Sequence, residues 1–162
     1  MVAGYINRLD KGDEMKTHPF GTKISTDDII GTLAFFDDWE DRYKYIIELG
    51  KELPGMPSEC KTDDKLVAGC QSQVWIEYCY HHGRLQLNAD SDAFIVKGLL
   101  AIVFAAYHDK TYQYIGDFNI REYFSRLNLL QHLSPSRSNG LVSMVKRIQD
   151  IASAYQATKE VS

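Results

Sequence analysis

Val74-Trp75-Ile76-Glu77-Tyr78-Cys79-Tyr80-His81-His82-Gly83-Arg84-Leu85-Gln86-Leu87-Asn88-Ala89 is the stretch that decides the fold. Val74, Ile76, Tyr78 and Tyr80 alternate with Trp75, Glu77, Cys79 and His81, a two-residue period that places the two sets on opposite faces of an extended strand. Leu85, Leu87 and Ala89 alternate in the same way with Arg84, Gln86 and Asn88. His82-Gly83 between them is a tight turn that joins antiparallel neighbours. Upstream, Leu66–Ala68 reads as a further short strand, which makes a small three-stranded antiparallel sheet.

On both sides of this hairpin the period becomes helical. Ser25 and Asp28 form a capping pair for a short helix with Ile29, Ile30 and Leu33 inward. Asp37 or Asp38 caps a second, in which Trp39, Tyr43, Ile46, Ile47 and Gly50 recur at helical spacing until Pro54 and Pro57 end it. After the hairpin, Asp90-Ser91-Asp92 reads as the cap of a helix from about Ala93 to His108, apolar nearly all round and therefore central and buried. Thr111 and Asn119 cap two shorter helices. Ser134-Pro135 opens a last helix that buries Leu141, Met144, Val145, Ile148, Ala152 and Tyr155. The predicted order is αα–βββ–αααα, an α+β domain over 18–158. His18-Pro19-Phe20-Gly21 is an anchored turn, and the aperiodic residues 1–17 are expected to form a poorly ordered extension.

The chain has 162 residues, enough for one domain with a real core, and a net charge of −4 with acidic and basic residues interspersed. The absence of a basic stripe disfavours nucleic acid. The longest fully apolar run, Leu99–Tyr107, is far short of the ~18 residues that span a bilayer. The charged N-terminus (Arg8, Asp10, Lys11, Asp13, Glu14, Lys16) does not read as a signal peptide. With three cysteines and no such signal, free thiols and a cytoplasmic location are expected.

Chemistry centres on Cys70 in Val67-Ala68-Gly69-Cys70-Gln71-Ser72-Gln73-Val74-Trp75. A glycine before and three uncharged polar residues after present the thiol on a loop, whereas a buried structural cysteine would sit among apolar neighbours. A thiolate serves acyl transfer, disulfide exchange and sulfane-sulfur transfer alike. Disulfide exchange favours a Cys-x-x-Cys pair, but Cys60 and Cys79 are each nine or ten residues away. A papain-like protease needs a histidine base and a cysteine that begins a helix, and here a strand follows. Carriage of sulfane sulfur needs one exposed thiol, which the loop meets best. Cys60, Cys70, Cys79 and His81 lack the paired spacing of a zinc site, so no metal is expected. His81 and His82 flank the turn and read as solvated, and Cys79 as a packed strand residue. Asp92 and Arg137 fall in the first turns of predicted helices, where a cap and a solvated charge are the ordinary readings.

Taken together, Gly69-Cys70-Gln71-Ser72-Gln73-Val74-Trp75, Asp90-Ser91-Asp92 with Ile95-Val96-Lys97-Gly98-Leu99, and Leu133-Ser134-Pro135-Ser136-Arg137-Ser138-Asn139-Gly140-Leu141 closely resemble the SufE/CsdE family of sulfur acceptors. Trp39-Glu40 and Tyr45-Ile46-Ile47-Glu48-Leu49-Gly50 extend the match, which runs from about His18 to Tyr155. The resemblance implies an α+β fold with the acceptor cysteine, here Cys70, at a loop tip. It implies a non-enzymatic partner of a cysteine desulfurase (SufS- or CsdA-like), which stimulates that enzyme, takes its persulfide sulfur and passes it to an iron–sulfur scaffold (SufB-like). Pyridoxal phosphate then belongs to the desulfurase, and this chain needs no cofactor. Gly69, Gln71, Ser72 and Gln73 would form the partner-binding loop, with Asp92 holding it and Arg137 favouring the anionic sulfur. Gln71-Ser72-Gln73 resembles the SufE branch and His18-Pro19-Phe20-Gly21 the CsdE branch, so either desulfurase is open. A different class of function, an allosteric activator in which Cys70 is incidental, stands as the alternative.

Overall fold

The computed structural model describes residues 16–161. Of the expected N-terminal extension, all but Lys16 and Thr17 lies outside the described residues. The hairpin consists of β1 (Val74–His81) and β2 (Arg84–Ser91), paired antiparallel from Val74↔Ser91 to His81↔Arg84. His82 and Gly83 take φ of 52° and 75°. Two successive left-handed residues match the twist of the flanking strands, and Gly83 adopts that conformation without a Cβ penalty.

The third strand is not the expected one. Leu66–Ala68 makes a single antiparallel bridge, Leu66↔Trp75, before the chain turns away at Gly69. The sheet is completed on its other edge by β3 (Lys110–Thr111) against Leu85 and Arg84. The architecture is α+β with a three-stranded antiparallel sheet in the order β1–β2–β3.

Among the described residues there are six α-helices. α1 (Thr26–Phe35) has the capping box read from Ser25 and Asp28, and α2 (Trp39–Gly50) is capped by Asp38. α3 (Phe94–Tyr107) is buried on almost every side, as its continuous apolar run requires. It rests on α2 where Gly50 and Gly98 meet: a Cβ at Gly98 would lie 2.1 Å from the Ile46 carbonyl, and one at Gly50 2.6 Å from the Gly98 amide. α4 (Tyr112–Asp117) and α5 (Ile120–Leu127) are capped by Thr111 and Asn119. α6 (Pro135–Val161) buries Leu141, Met144, Val145, Ile148, Ala152 and Tyr155. Tyr155 stacks on Tyr80 of β1 at 3.8 Å between ring centroids.

Asp90-Ser91-Asp92 caps α3 differently from expectation. β2 runs on through Ser91, and the residue at the helix start is Ala93, which has no side-chain cap of its own. Ser91 Oγ accepts the Ala93 N–H at 3.2 Å, so a strand residue satisfies one orphan donor of the helix. Asp90 is instead a junction. Its carboxylate accepts the N–H groups of Met56 and Ser91 and pairs with Lys61 at 3.3 Å and Lys97 at 3.5 Å. Burial alone would raise its pKa, but these donors and cations outweigh that and hold it below the ordinary value.

Both faces of β1 are covered. Glu77, on the face it shares with Trp75 and Cys79, is buried beside Lys65 at 3.6 Å and accepts from Asn88 at 3.3 Å. Cys79 on the same face is buried as well, while His81 and His82 are exposed.

Candidate functional site

Cys70 sits on the loop that enters β1. The Val67 N–H donates to the Val74 carbonyl at 2.9 Å, so the loop is closed at its root like a hairpin. Gly69 then takes φ +88°, and a Cβ there would lie 2.6 Å from Ser143 Oγ on α6. The left-handed turn favours glycine at that position, and any side chain there would displace the Ser143 hydroxyl. The turn directs Cys70 towards α6, where its Sγ donates to the Gly140 carbonyl at 3.6 Å. Gly140 offers bare backbone to the sulfur: a Cβ there would stand 3.6 Å from Sγ.

Loop, sheet and two helices enclose a cavity of about 20 Å³ against the thiol, room for one water-sized group. The loop contributes Cys70, Gln71 and Ser72, β1 contributes Val74 and α3 contributes Val96. α6 contributes Ser136, Arg137, Gly140 and Met144. Arg137 is placed by the start of α6, where its N–H donates to Ser134 Oγ at 3.2 Å and Ser138 Oγ donates to the Leu130 carbonyl at 3.2 Å.

The structure thus brings Cys70, Gln71, Ser72 and Arg137 to one pocket. Gly69 shapes the loop, and Gln73 closes it: its carbonyl accepts from Ser91 Oγ at 2.7 Å and from the Asp92 N–H at 3.4 Å. Asp92 meets the loop through this backbone donor, and its side chain is exposed. Half-burial pushes the Cys70 thiol above the ordinary cysteine value. A thiol that donates to a carbonyl is also held in its neutral form. The resting geometry therefore stores a protonated sulfur and shields it.

The loop reading gave Gly140, Met144, Val96 and Ser136 no role. Their signal lay in helical spacing, since 137, 140 and 144 fall on one face of α6, but which residue faced the loop depended on how α6 crosses the sheet. No disulfide joins Cys60, Cys70 and Cys79; Cys79 is buried in β1 and Cys60 lies in the turn Ser58–Cys60. Among the described residues no three His, Cys, Asp or Glu side chains converge as a metal site needs. No helix of the described residues is long and apolar enough to cross a membrane.

The family model described as "SufE: Fe-S metabolism associated domain" matches residues 27–152. An uncharacterized SufE-like protein of Rhizobium etli is 46% identical over 138 residues, covering 82% of this chain and 93% of the relative. The chain belongs to the SufE family. A second SufE-like relative, from Rhizobium meliloti, is 44% identical over 133 residues, 79% of this chain and 94% of its own. The solution structure of a hypothetical protein from Thermus thermophilus superposes with a TM-score of 0.66, covering 82% of this chain and 96% of that one. At 15% identity that likeness concerns the fold alone. Membership places this SufE-family chain in iron–sulfur metabolism.

On the two helices that help line the pocket, the SufE-family chain exposes two large apolar side chains. Phe94, at the start of α3, is 74% exposed and Val142, on α6, is 55% exposed.

Proposed function

We propose that this protein accepts persulfide sulfur on Cys70 from a cysteine desulfurase, stimulates that enzyme by clearing it, and hands the sulfur on for cluster assembly. The observation that carries the reading is a single thiol held on a glycine-hinged loop and closed onto α6 by one weak S–H bond. The Cys70 thiolate attacks the outer sulfur of the partner's persulfide. A new S–S bond forms on Cys70, the partner's S–S bond breaks, and the partner's cysteine leaves as a thiolate. No net oxidation occurs, so neither a resolving thiol nor a cofactor on this chain is needed. Pyridoxal phosphate belongs to the desulfurase, and the cytoplasm is the compartment in which the free thiols would persist.

A shielded, neutral thiol is a poor nucleophile. Transfer therefore couples to loop opening. The test is to mix the protein with a cysteine desulfurase and L-cysteine and to measure intact mass. One added sulfur, about +32 Da, is expected on the wild type and none on Cys70→Ser. Desulfurase stimulation that survives Cys70→Ser would overturn the reading in favour of allosteric activation.

A further inference from the structure

The segment that leads into the Cys70 loop is a single helical turn, Asp63–Lys65, followed by one bridge at Leu66 in place of a full strand, so the Asp64 and Leu66 carbonyls take their donors from outside the sheet. α6 supplies them through Arg147. Its Nη2 donates to the Asp64 carbonyl at 2.7 Å and its Nη1 to the Leu66 carbonyl at 3.1 Å. The planar guanidinium reaches both with two parallel donors, which an ammonium does not match. Arg147 lies on the same face of α6 as Arg137, Gly140 and Met144, following them at spacings of three and four residues.

We propose that Arg147 is a positioning residue that roots the Cys70 loop on α6 and so confines its opening to residues 68–72. The root is double on the entering side: Arg147 holds Asp64 and Leu66 from α6, while the Leu66↔Trp75 bridge and the Val67-to-Val74 bond hold the segment to β1. On the leaving side Ser91 Oγ holds Gln73 at 2.7 Å. Between these roots the loop meets α6 at Gly69, against Ser143, and at Cys70, through its S–H bond to Gly140. Charge-assisted bonds to carbonyls are strong and thiol bonds are weak, so the tip leaves first and the roots define the hinge. Local opening of this kind is drawn from the weakly held parts of a fold.

The proposal uses Cys70 as the acceptor only to say what the opening serves, and its test needs no partner. The protein is treated with iodoacetamide, and labelling of Cys70 and Cys79 is followed separately by peptide mass. Cys79, buried in β1, reacts only when the sheet comes apart and so reports global unfolding. Arg147→Ala is expected to speed Cys70 labelling about tenfold with Cys79 unchanged, and Arg147→Lys to fall between the alanine variant and the wild type. If the alanine variant does not fold, the lysine variant carries the test, with faster Cys70 and silent Cys79 expected. An unchanged Cys70 rate, or a rise matched by Cys79, overturns the proposal. Because iodoacetamide requires no desulfurase, failure here leaves the sulfur-transfer mass shift to be judged alone.

Discussion

Cys70 is protonated at rest for two reasons that act in the same direction, partial burial and donation to the Gly140 carbonyl. The thiolate fraction at neutral pH is therefore smaller than for a free cysteine, whose midpoint lies near about 8.5. Alkylation of Cys70 in the free protein should rise with pH and reach its midpoint above that value, and a midpoint at or below it would refute the shielded thiol. Arg137 is the one cation among the residues that line the same cavity, placed to support an anion once the sulfur has lost its proton. Arg137→Ala should therefore slow sulfur acceptance from a desulfurase, with the Cys70→Ser-sensitive mass shift as the readout. Equal rates would remove that role. Cys70 was legible because a polar loop is a local pattern, whereas Arg137 read locally as a solvated charge and stood out only through the family resemblance. Gly140 was not, because a backbone carbonyl that meets a sulfur seventy residues away leaves no mark in composition or period. Asp92 reads as a cap by residue type, yet β2 runs two residues further than its alternation suggests and leaves that task to Ser91.

Helices and the hairpin followed from sequence because capping boxes, alternation and turn residues act within a few positions. The third strand did not. Leu66–Ala68 has strand-like residues, but Gly69 breaks the pairing after one bridge, and the two-residue β3 is too short to show a period. The α2–α3 contact is legible only in outline, as glycines within apolar helices. Its reason is backbone proximity: a Cβ at Gly98 would fall 2.1 Å from the Ile46 carbonyl, which is main chain and cannot turn aside. Gly98→Ala should destabilise the fold by about 3 kcal/mol, measured by urea unfolding, whereas Gly31→Ala, with nothing within 4 Å of its Cβ, should be neutral or mildly stabilising in its exposed helical position. Equal effects at the two sites would contradict the close approach.

Across the molecule, the chain before α1 is strapped to the sheet by neutral imidazoles. His18 Nε2 donates to the Leu87 carbonyl at 2.7 Å, the Leu87 N–H donates to His108 Nδ1 at 3.0 Å, and the two rings lie 4.1 Å apart. Lys110 adds a donor to the Gly21 carbonyl at 2.7 Å. Burial lowers the pKa of His18. Burial, followed by the neighbouring His18 and only partly offset by Asp109, lowers that of His108 to about 3. The folded values lie below the unfolded one of about 6.5, so in between the unfolded chain binds more protons and stability falls as pH falls. Each group contributes up to about 1.4 kcal/mol per pH unit in that window. Thermal unfolding midpoints should drop steadily from about pH 6.5 towards about pH 3.5. His108→Gln, which keeps an acceptor for Leu87, should flatten the slope, and an unaltered slope would assign the acid sensitivity elsewhere. This coupling joins residues ninety positions apart and is visible only in the folded chain. The cavity beside Cys70 sets a different kind of limit. With about 20 Å³ it has room for a water-sized group beside the thiol while the loop is closed. A larger adduct on Cys70 must therefore turn outward, away from Gly140 and Met144, so the closed loop favours the smallest cargo the sulfur can bear.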